Sequence, residues 1–133
     1  MIDSYIGKPW QSGAQGPEAY DCYGLVRAVL RECCGIEAPL VAFDAGRSAD
    51  CLRTVDEQRR LPVWREIAAP QPWAVALMGH GRKPHHVGVV LPDGRVMHSA
   101  EGHGVVVHSM AQLALGGWRI LSLLAWAGEE VAA

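Results

Sequence analysis

Cys22 is the residue of this chain best placed for covalent chemistry. It directly follows Asp21, whose carboxylate can cap the start of a helix. The next residues are apolar at helical spacing as far as Cys34, and the pattern predicts a helix over Asp21–Cys34 that ends at Gly35. In the first turn of a helix, the dipole and the free N–H groups favour negative charge. We therefore expect the pKa of the Cys22 thiol to be lowered and its thiolate to be available as a nucleophile.

A nucleophilic thiol needs a nearby imidazole, and hairpin geometry selects two of the six histidines. Two strand-like segments, 86–91 and 95–100, are separated by a short loop with Gly94 at a position suited to a left-handed conformation. A three-residue loop pairs residues whose numbers sum to 186, so that His86 and His98 share one face as diagonal neighbours. A two-residue loop would put them on opposite faces. The first register predicts His86 as the base and His98 as the residue that fixes its tautomer.

Gly88 lies in the first of these strands, beside both histidines in the predicted register. Glycine weakens a strand, so its presence often marks the close approach of another backbone or of a substrate. We therefore count Gly88 among the candidate substrate-binding residues.

The remaining cysteines and histidines are expected to have ordinary structural roles. Because no Cys-x-x-Cys pair occurs and the chain is not cysteine-dense, free thiols are favoured over disulfides and over structural zinc. The spacing of the loop histidines fits no metal-ligand pattern, so neither a metal nor another cofactor is expected. These residues are Cys33, Cys34, Cys51, His80, His103 and His108.

The elements that must position these side chains follow the order of helices first and strands after. A polar segment, 48–60, fits a surface helix that ends before Pro62, and 110–113 fits a short helical turn. Strands are predicted at 73–78, 86–91, 95–100, 105–109 and 119–126. This order indicates an α+β fold with the helices on one face of an antiparallel sheet. The length of 133 residues fits one domain over 1–133.

Composition excludes several classes of function. The net charge is −2 and the basic residues are scattered, which does not resemble a nucleic-acid-binding surface. The first residues have neither the basic nor the apolar region of a signal peptide, and no apolar stretch approaches the ~20 residues of a membrane span. We expect a protein made in a cytoplasm that neither spans a membrane nor binds nucleic acid.

Two linked motifs resemble those of the NlpC/P60 cysteine peptidases. The nucleophile motif of that family, Asp-Cys-Ser-Gly-[Leu/Phe]-Val, is matched by Asp21-Cys22-Tyr23-Gly24-Leu25-Val26. Its histidine motif, His-Val-Gly-[Ile/Val] followed by a short turn and [Val/Ile]-His-[Ala/Ser], is matched by His86-Val87-Gly88-Val89 and Met97-His98-Ser99-Ala100. The twelve-residue step between the two histidines is the usual one of the family.

This resemblance implies a papain-like fold, with the nucleophile helix packed against an antiparallel sheet of five to six strands. It also implies a catalytic triad of Cys22, His86 and His98 without a cofactor. The expected substrate is a peptidoglycan stem peptide, cleaved by a D,L-endopeptidase between γ-D-Glu and the diamino acid. Cys22 would attack the amide carbonyl and His86 would protonate the leaving amine.

The segment 24–29 is most similar to the short tail-assembly members of the family in lambda-like siphophages. The resemblance thus implies a virion protein of the phage tail tip. Such a protein would be made in the host cytoplasm, would contact other tail-tip proteins and would act in the periplasm or cell wall.

Three places depart from the family pattern, one of them Pro72-Trp73 where a Gly-Asp step is frequent, and the other two lie closer to the nucleophile in the sequence. Trp10 stands where a tyrosine is common, and Tyr23 replaces the serine after the nucleophile. With Asp21 and Gly88, these two residues complete the predicted substrate-binding set. The departures leave open a structural tail-tip component with weak or no activity, and also an intracellular cysteine acyltransferase or amidase with the same triad.

Overall fold

The computed structural model describes residues 2–128. Within this range three α-helices accompany six strands. The helices are α1 (Cys22–Cys34), α2 (Ser48–Arg59) and α3 (Met110–Leu115). The strands are β1 (Trp64–Ile67), β2 (Val75–Gly79), β3 (His86–Val90), β4 (Val96–Ala100), β5 (Gly104–His108) and β6 (Arg119–Trp126).

The strands form one antiparallel sheet in the order β1-β6-β2-β3-β4-β5. The predicted α+β fold, with α1 packed against a six-stranded antiparallel sheet, is therefore confirmed. The predicted extent of one domain over 1–133 stays a prediction, and residues 1 and 129–133 lie outside the described range.

Both long helices lie where the sequence predicts them. The Asp21 carboxylate caps α1, and Gly35 ends it in a left-handed conformation with φ of 67°. Helix α2 is amphipathic only in part, because among its residues Cys51 and Thr54 are buried and the others are exposed or half-buried.

Strand β1 is an element that the sequence analysis missed. It has four residues, of which Trp64 is buried while Arg65 and Glu66 are exposed. So short a segment shows no alternating pattern on its own. Its strand conformation comes from pairing with β6, where Trp64 lies opposite Trp126 and the two rings meet edge to face at 5.1 Å.

The core divides between the two faces of the sheet. On one face α1 packs through Leu25, Val26, Val29 and Leu30 against apolar side chains of the central strands. On the other face Leu113 of α3 packs with Val90 and Val96 and with the apolar residues of β2 and β6. The expectation that all helices lie on one face is therefore wrong for α3. Helix α3 is short, and its buried residue Leu113 is removed from water only by packing on the second face of the sheet.

No helix within residues 2–128 is long and apolar enough to cross a lipid bilayer.

Candidate active site

Cys22 is held at the first position of α1 by the loop that precedes it. The Asp21 carboxylate accepts hydrogen bonds from the backbone N–H of Gly24 at 2.6 Å and of Gly13 at 2.9 Å, which ties the loop to the helix start. A Cβ on Gly24 would come within 2.1 Å of the Ala14 carbonyl oxygen. Glycine is therefore required at this position of the motif, because the loop backbone packs directly on the first turn.

The hairpin of β3 and β4 has the predicted three-residue register. Val89 pairs with Met97 and Val90 with Val96, so paired numbers sum to 186. Gly94 closes the loop with φ of 89°. His86 and His98 consequently share a face, and Nε2 of His86 lies 2.9 Å from Nδ1 of His98 in a buried hydrogen bond.

Two neighbouring residues explain how this hairpin fits against the nucleophile. A Cβ on Gly88 would lie 2.8 Å from Val96 and 3.1 Å from the Cβ of His98, so glycine allows β4 to come close. The Ser99 hydroxyl donates a 2.8 Å hydrogen bond to the Tyr20 carbonyl, two residues before Cys22. The histidine strand and the nucleophile segment are thus joined directly.

Cys22 and His86 line one cavity of about 580 Å³. All six histidines of the chain border this cavity. Trp10 and Trp118 contribute aromatic walls, and Glu101 is the acidic residue on the lining. The cavity is therefore rich in imidazole and in aromatic surface, with a single carboxylate.

The Cys22 thiol is protonated in this environment. Burial raises the pKa of the thiol to about 12, and the nearby Asp21 carboxylate and Cys51 add to the effect. Backbone hydrogen bonds from Val87 and Tyr23 act in the opposite direction. The expected lowering of the Cys22 pKa is thus wrong, because removal of the sulfur from water outweighs the helix dipole.

The two paired imidazoles are neutral. Burial and the neighbouring His98 lower the pKa of His86 well below its ordinary value. Burial, together with His108 and His103, lowers the pKa of His98 to about 4. A neutral thiol and a neutral imidazole that line the same cavity define a resting state in which proton transfer accompanies attack. Within residues 2–128 the hydrogen bond of the His86 ring is to His98, and none joins it to the thiol.

Trp118 shields the His86 ring. The two rings stack at 4.7 Å with an interplanar angle of 27°, and the His80 ring lies against the indole at 3.9 Å, tilted by 32°. The His80 ring donates from Nδ1 to the Gly117 carbonyl at 2.9 Å, which anchors it. Trp118 is a site residue without a sequence signal, because nothing local to residue 118 indicates that it meets His86.

His108 is not the exposed loop histidine that the sequence analysis expects. It ends β5, is half-buried, and its Nδ1 lies 3.0 Å from Nε2 of His98. The pairing of Val96 with His108 places its side chain on the face of His98. The same register argument, applied to the second hairpin, could have found it.

The predicted substrate-binding residues occupy different places. Trp10 lines the cavity. Asp21 is buried with both oxygens engaged, Tyr23 donates from its hydroxyl to the Pro39 carbonyl at 2.7 Å, and Gly88 lies within β3, closely packed against β4. Asp21, Tyr23 and Gly88 thus have structural contacts and do not line the cavity. Substrate binding by these residues and by Trp10 stays a prediction.

Cys51, for which the sequence predicts a free thiol in a structural role, is a second thiol on the cavity wall. It is buried and donates to the Ala45 carbonyl at 3.4 Å. Burial raises the pKa of this thiol to about 11. Among the described residues, no group of three or more His, Cys, Asp or Glu side chains is arranged to hold a metal ion.

Comparison with known proteins agrees with the motifs and the geometry. The model of the NlpC/P60 family matches residues 7–118, which include the whole cavity from Trp10 to Trp118. No curated protein sequence matches the chain. Because the match spans most of the 133 residues, the chain belongs to the NlpC/P60 family of cysteine peptidases, whose activity is directed at the bacterial cell wall.

Proposed function

We propose that this protein is a cysteine peptidase that hydrolyses peptidoglycan stem peptides, with Cys22, His86 and His98 as its catalytic triad. The observation that carries the proposal is the shared cavity of Cys22 and the hydrogen-bonded histidine pair. His86 uses Nε2 for His98, so Nδ1 is the ring nitrogen left to serve the thiol. The sulfur accepts a hydrogen bond from the backbone of Val87, the residue next to His86.

The resting protonation states define the chemical steps. Nδ1 of neutral His86 removes the thiol proton as the sulfur attacks the amide carbonyl, and a tetrahedral intermediate forms. The backbone N–H of Cys22, in the first turn of α1, is the proposed donor to its oxyanion. The C–N bond breaks as His86 returns the proton to the leaving amine. Water activated by His86 then hydrolyses the thioester and restores the thiol.

The bond proposed for cleavage is that between γ-D-Glu and the diamino acid. The resemblance to the family supports it, and so does the chemistry of the cavity. Glu101 lies on the lining, and its carboxylate is complementary to the free ammonium group of a diamino acid. Trp10 and Trp118 provide apolar surface for the rest of the peptide.

We also propose that the protein acts as a component of a phage tail tip. Its support is the similarity of segment 24–29 to short tail-assembly members of the family. The protein would then act on the wall during cell entry, in contact with other tail-tip proteins. Recovery of the chain in purified tails supports this placement, and its exclusion from assembled tails contradicts it.

A structural tail-tip component with weak activity is the alternative. Trp10 favours it, since the indole on the cavity wall offers an N–H donor where many relatives have a hydroxyl. Tyr23 does not bear on the choice, because its hydroxyl is engaged with Pro39. Of the third possibility, an intracellular cysteine acyltransferase or amidase, only a long-chain acyltransferase that uses the apolar cavity is disfavoured. A long apolar chain does not fit the apolar cavity beside Cys22, which measures about 40 Å³, far below the ~300 Å³ typical of the smallest ligand pockets.

Digestion of purified sacculi tests the proposal. We expect the protein to release new amino groups, and mass analysis of the fragments to show cleavage after γ-D-Glu. Cys22→Ala should abolish the release. Cys51→Ala is the matched control, because it removes a second buried thiol of the same cavity. Equal release by Cys22→Ala and the wild type would remove Cys22 from the mechanism, and absence of release by both would favour the structural alternative.

A further inference from the structure

Three histidine rings form a hydrogen-bonded row along adjacent strands. His86 Nε2 meets His98 Nδ1 at 2.9 Å, and His98 Nε2 meets His108 Nδ1 at 3.0 Å. The first two rings are buried and the third is half-buried at the cavity wall. Both nitrogens of the middle ring are therefore engaged by other imidazoles.

Proton counting leaves two arrangements of this row. A neutral imidazole carries one N–H, so each contact needs one donor and one acceptor. In the first arrangement His86 donates from Nε2 to His98, and His98 donates from Nε2 to His108. In the second arrangement every hydrogen bond is reversed, and Nδ1 of His86 carries a proton. Only the first leaves Nδ1 of His86 free to take a proton from Cys22.

We propose that His108 is a positioning residue, which accepts from Nε2–H of His98 and thereby holds His86 in the tautomer that can act as a base. The proposal rests on the proposed function of His86. His98 alone does not fix the direction of the row, because either of its nitrogens can donate while the other accepts. Because the two hydrogen bonds of His98 are coupled, Nδ1 of His86 is bare only in the arrangement in which Nδ1 of His108 accepts.

The backbone around His108 holds the ring in place. Ser109 follows directly and caps α3: its hydroxyl accepts from the Gln112 N–H at 3.1 Å, and its own N–H donates to the Gln112 side chain at 2.8 Å. Val96 pairs with His108 across the strands. The junction of β5 and α3 is thus tied on both sides of the ring.

Ring nitrogen spectroscopy of the whole protein tests the proposal without substrate. Long-range ¹H–¹⁵N spectra separate a protonated ring nitrogen from a bare one. For the wild type at neutral pH we expect His86, His98 and His108 each to carry the proton on Nε2. His108→Leu should give a mixture of tautomers at His98 and His86. Nδ1–H on His98 of the wild type, or unchanged spectra of His98 and His86 in His108→Leu, would overturn the proposal.

Rescue by an acceptor separates positioning from packing. The amide oxygen of His108→Asn can occupy the place of Nδ1 and accept from His98, whereas leucine cannot. We expect His108→Leu to lower the rate of sacculus hydrolysis by about tenfold, the equivalent of one hydrogen bond. His108→Asn should restore most of the rate and the wild-type spectra of His98. Equal rates for the two variants would contradict the proposal.

Val107→Ala is the control for a general loosening of β5. Val107 packs on the α1 side of the strand, away from His108. We expect this variant to keep the wild-type tautomers. If wild-type protein shows the expected tautomers but no hydrolysis, the proposed function fails while the selection of tautomer by His108 stands.

Discussion

The two faces of β3, β4 and β5 differ in what their side chains do. The face toward α1 is almost wholly apolar and is buried by Leu25 and Val29. The other face is apolar near Val90 and Val96, but it also carries the row of three histidines. Because side chains alternate along a strand, the same strands supply core packing on one side and imidazoles on the other. A site built on strands held by a packed core is positioned more precisely than one built on loops.

Buried side chains on the two faces are stabilised in different ways. Apolar side chains such as Val89 and Met97, both fully buried, need only contact. His98 is 1% exposed, and a buried polar ring is costly unless its nitrogens have partners. His86 and His108 provide those partners. Substitutions on the first face should therefore change stability, and substitutions on the second should change chemistry.

The largest effect is expected for His86→Ala. Removal of a general base lowers rates by about 10²–10⁴-fold, so sacculus hydrolysis should fall by about a thousandfold. Val89→Ala, on the opposite face of the same strand, should instead lower the free energy of unfolding by about 2 kcal/mol. Its rate per folded molecule should match that of the wild type. Urea titration and hydrolysis assays measure both quantities, and a similar rate loss in the two variants would break the distinction between the faces.

The next effect concerns the pH dependence of stability. The pKa of His98 is lowered to about 4 in the folded protein, whereas an unfolded histidine titrates near 6.5. Between these values the unfolded chain binds more protons, so stability is complete above pH 6.5 and falls as the pH drops toward 4. The contribution of His98 is up to about 3 kcal/mol. Urea titrations at pH 7, 5.5 and 4.5 should show a shallower decline for His98→Gln. Parallel curves for the two proteins would contradict a buried neutral His98.

Gly88→Ala should affect both faces, which sharpens the comparison. The new Cβ would meet Val96 at 2.8 Å and the Cβ of His98 at 3.1 Å. We expect a loss of about 1–3 kcal/mol in the free energy of unfolding and a lower rate, because His98 is displaced. Stability by urea titration and hydrolysis by sacculus digestion should decrease together. A stability loss with an unchanged rate would show that the position of His98 tolerates the shift.

The smallest effect is expected for Ser99→Ala. Ser99 is a buried polar residue that alternates with His98 along β4 and donates its hydroxyl proton to the Tyr20 carbonyl. Loss of this hydrogen bond should cost about 1 kcal/mol of stability. The rate per folded molecule should change little, since the nucleophile keeps its cap from Asp21. A large rate loss would show that the bond positions Cys22.

The sequence by itself determined the local geometry of the site. The Asp21 cap, the helix that begins at Cys22 and the three-residue hairpin loop all depend on residues close together in the chain. For the hairpin the sequence left two registers open, and the three-residue loop that the structure has is the one in which strand alternation places His86 and His98 on one face. The nucleophile and histidine motifs together predicted the papain-like fold through their resemblance to the NlpC/P60 family, whose model matches residues 7–118.

Only the tertiary structure decided how these groups behave. Cys22 is a protonated thiol because distant segments remove it from water, and no local pattern reports that burial. Trp118 reaches His86 across 32 residues, and β1 becomes a strand through its pairing with β6. His108 becomes a partner of His98 through the next hairpin. Local conformation follows from neighbouring residues, whereas solvation, stacking and proton direction follow from contacts between residues far apart in the chain.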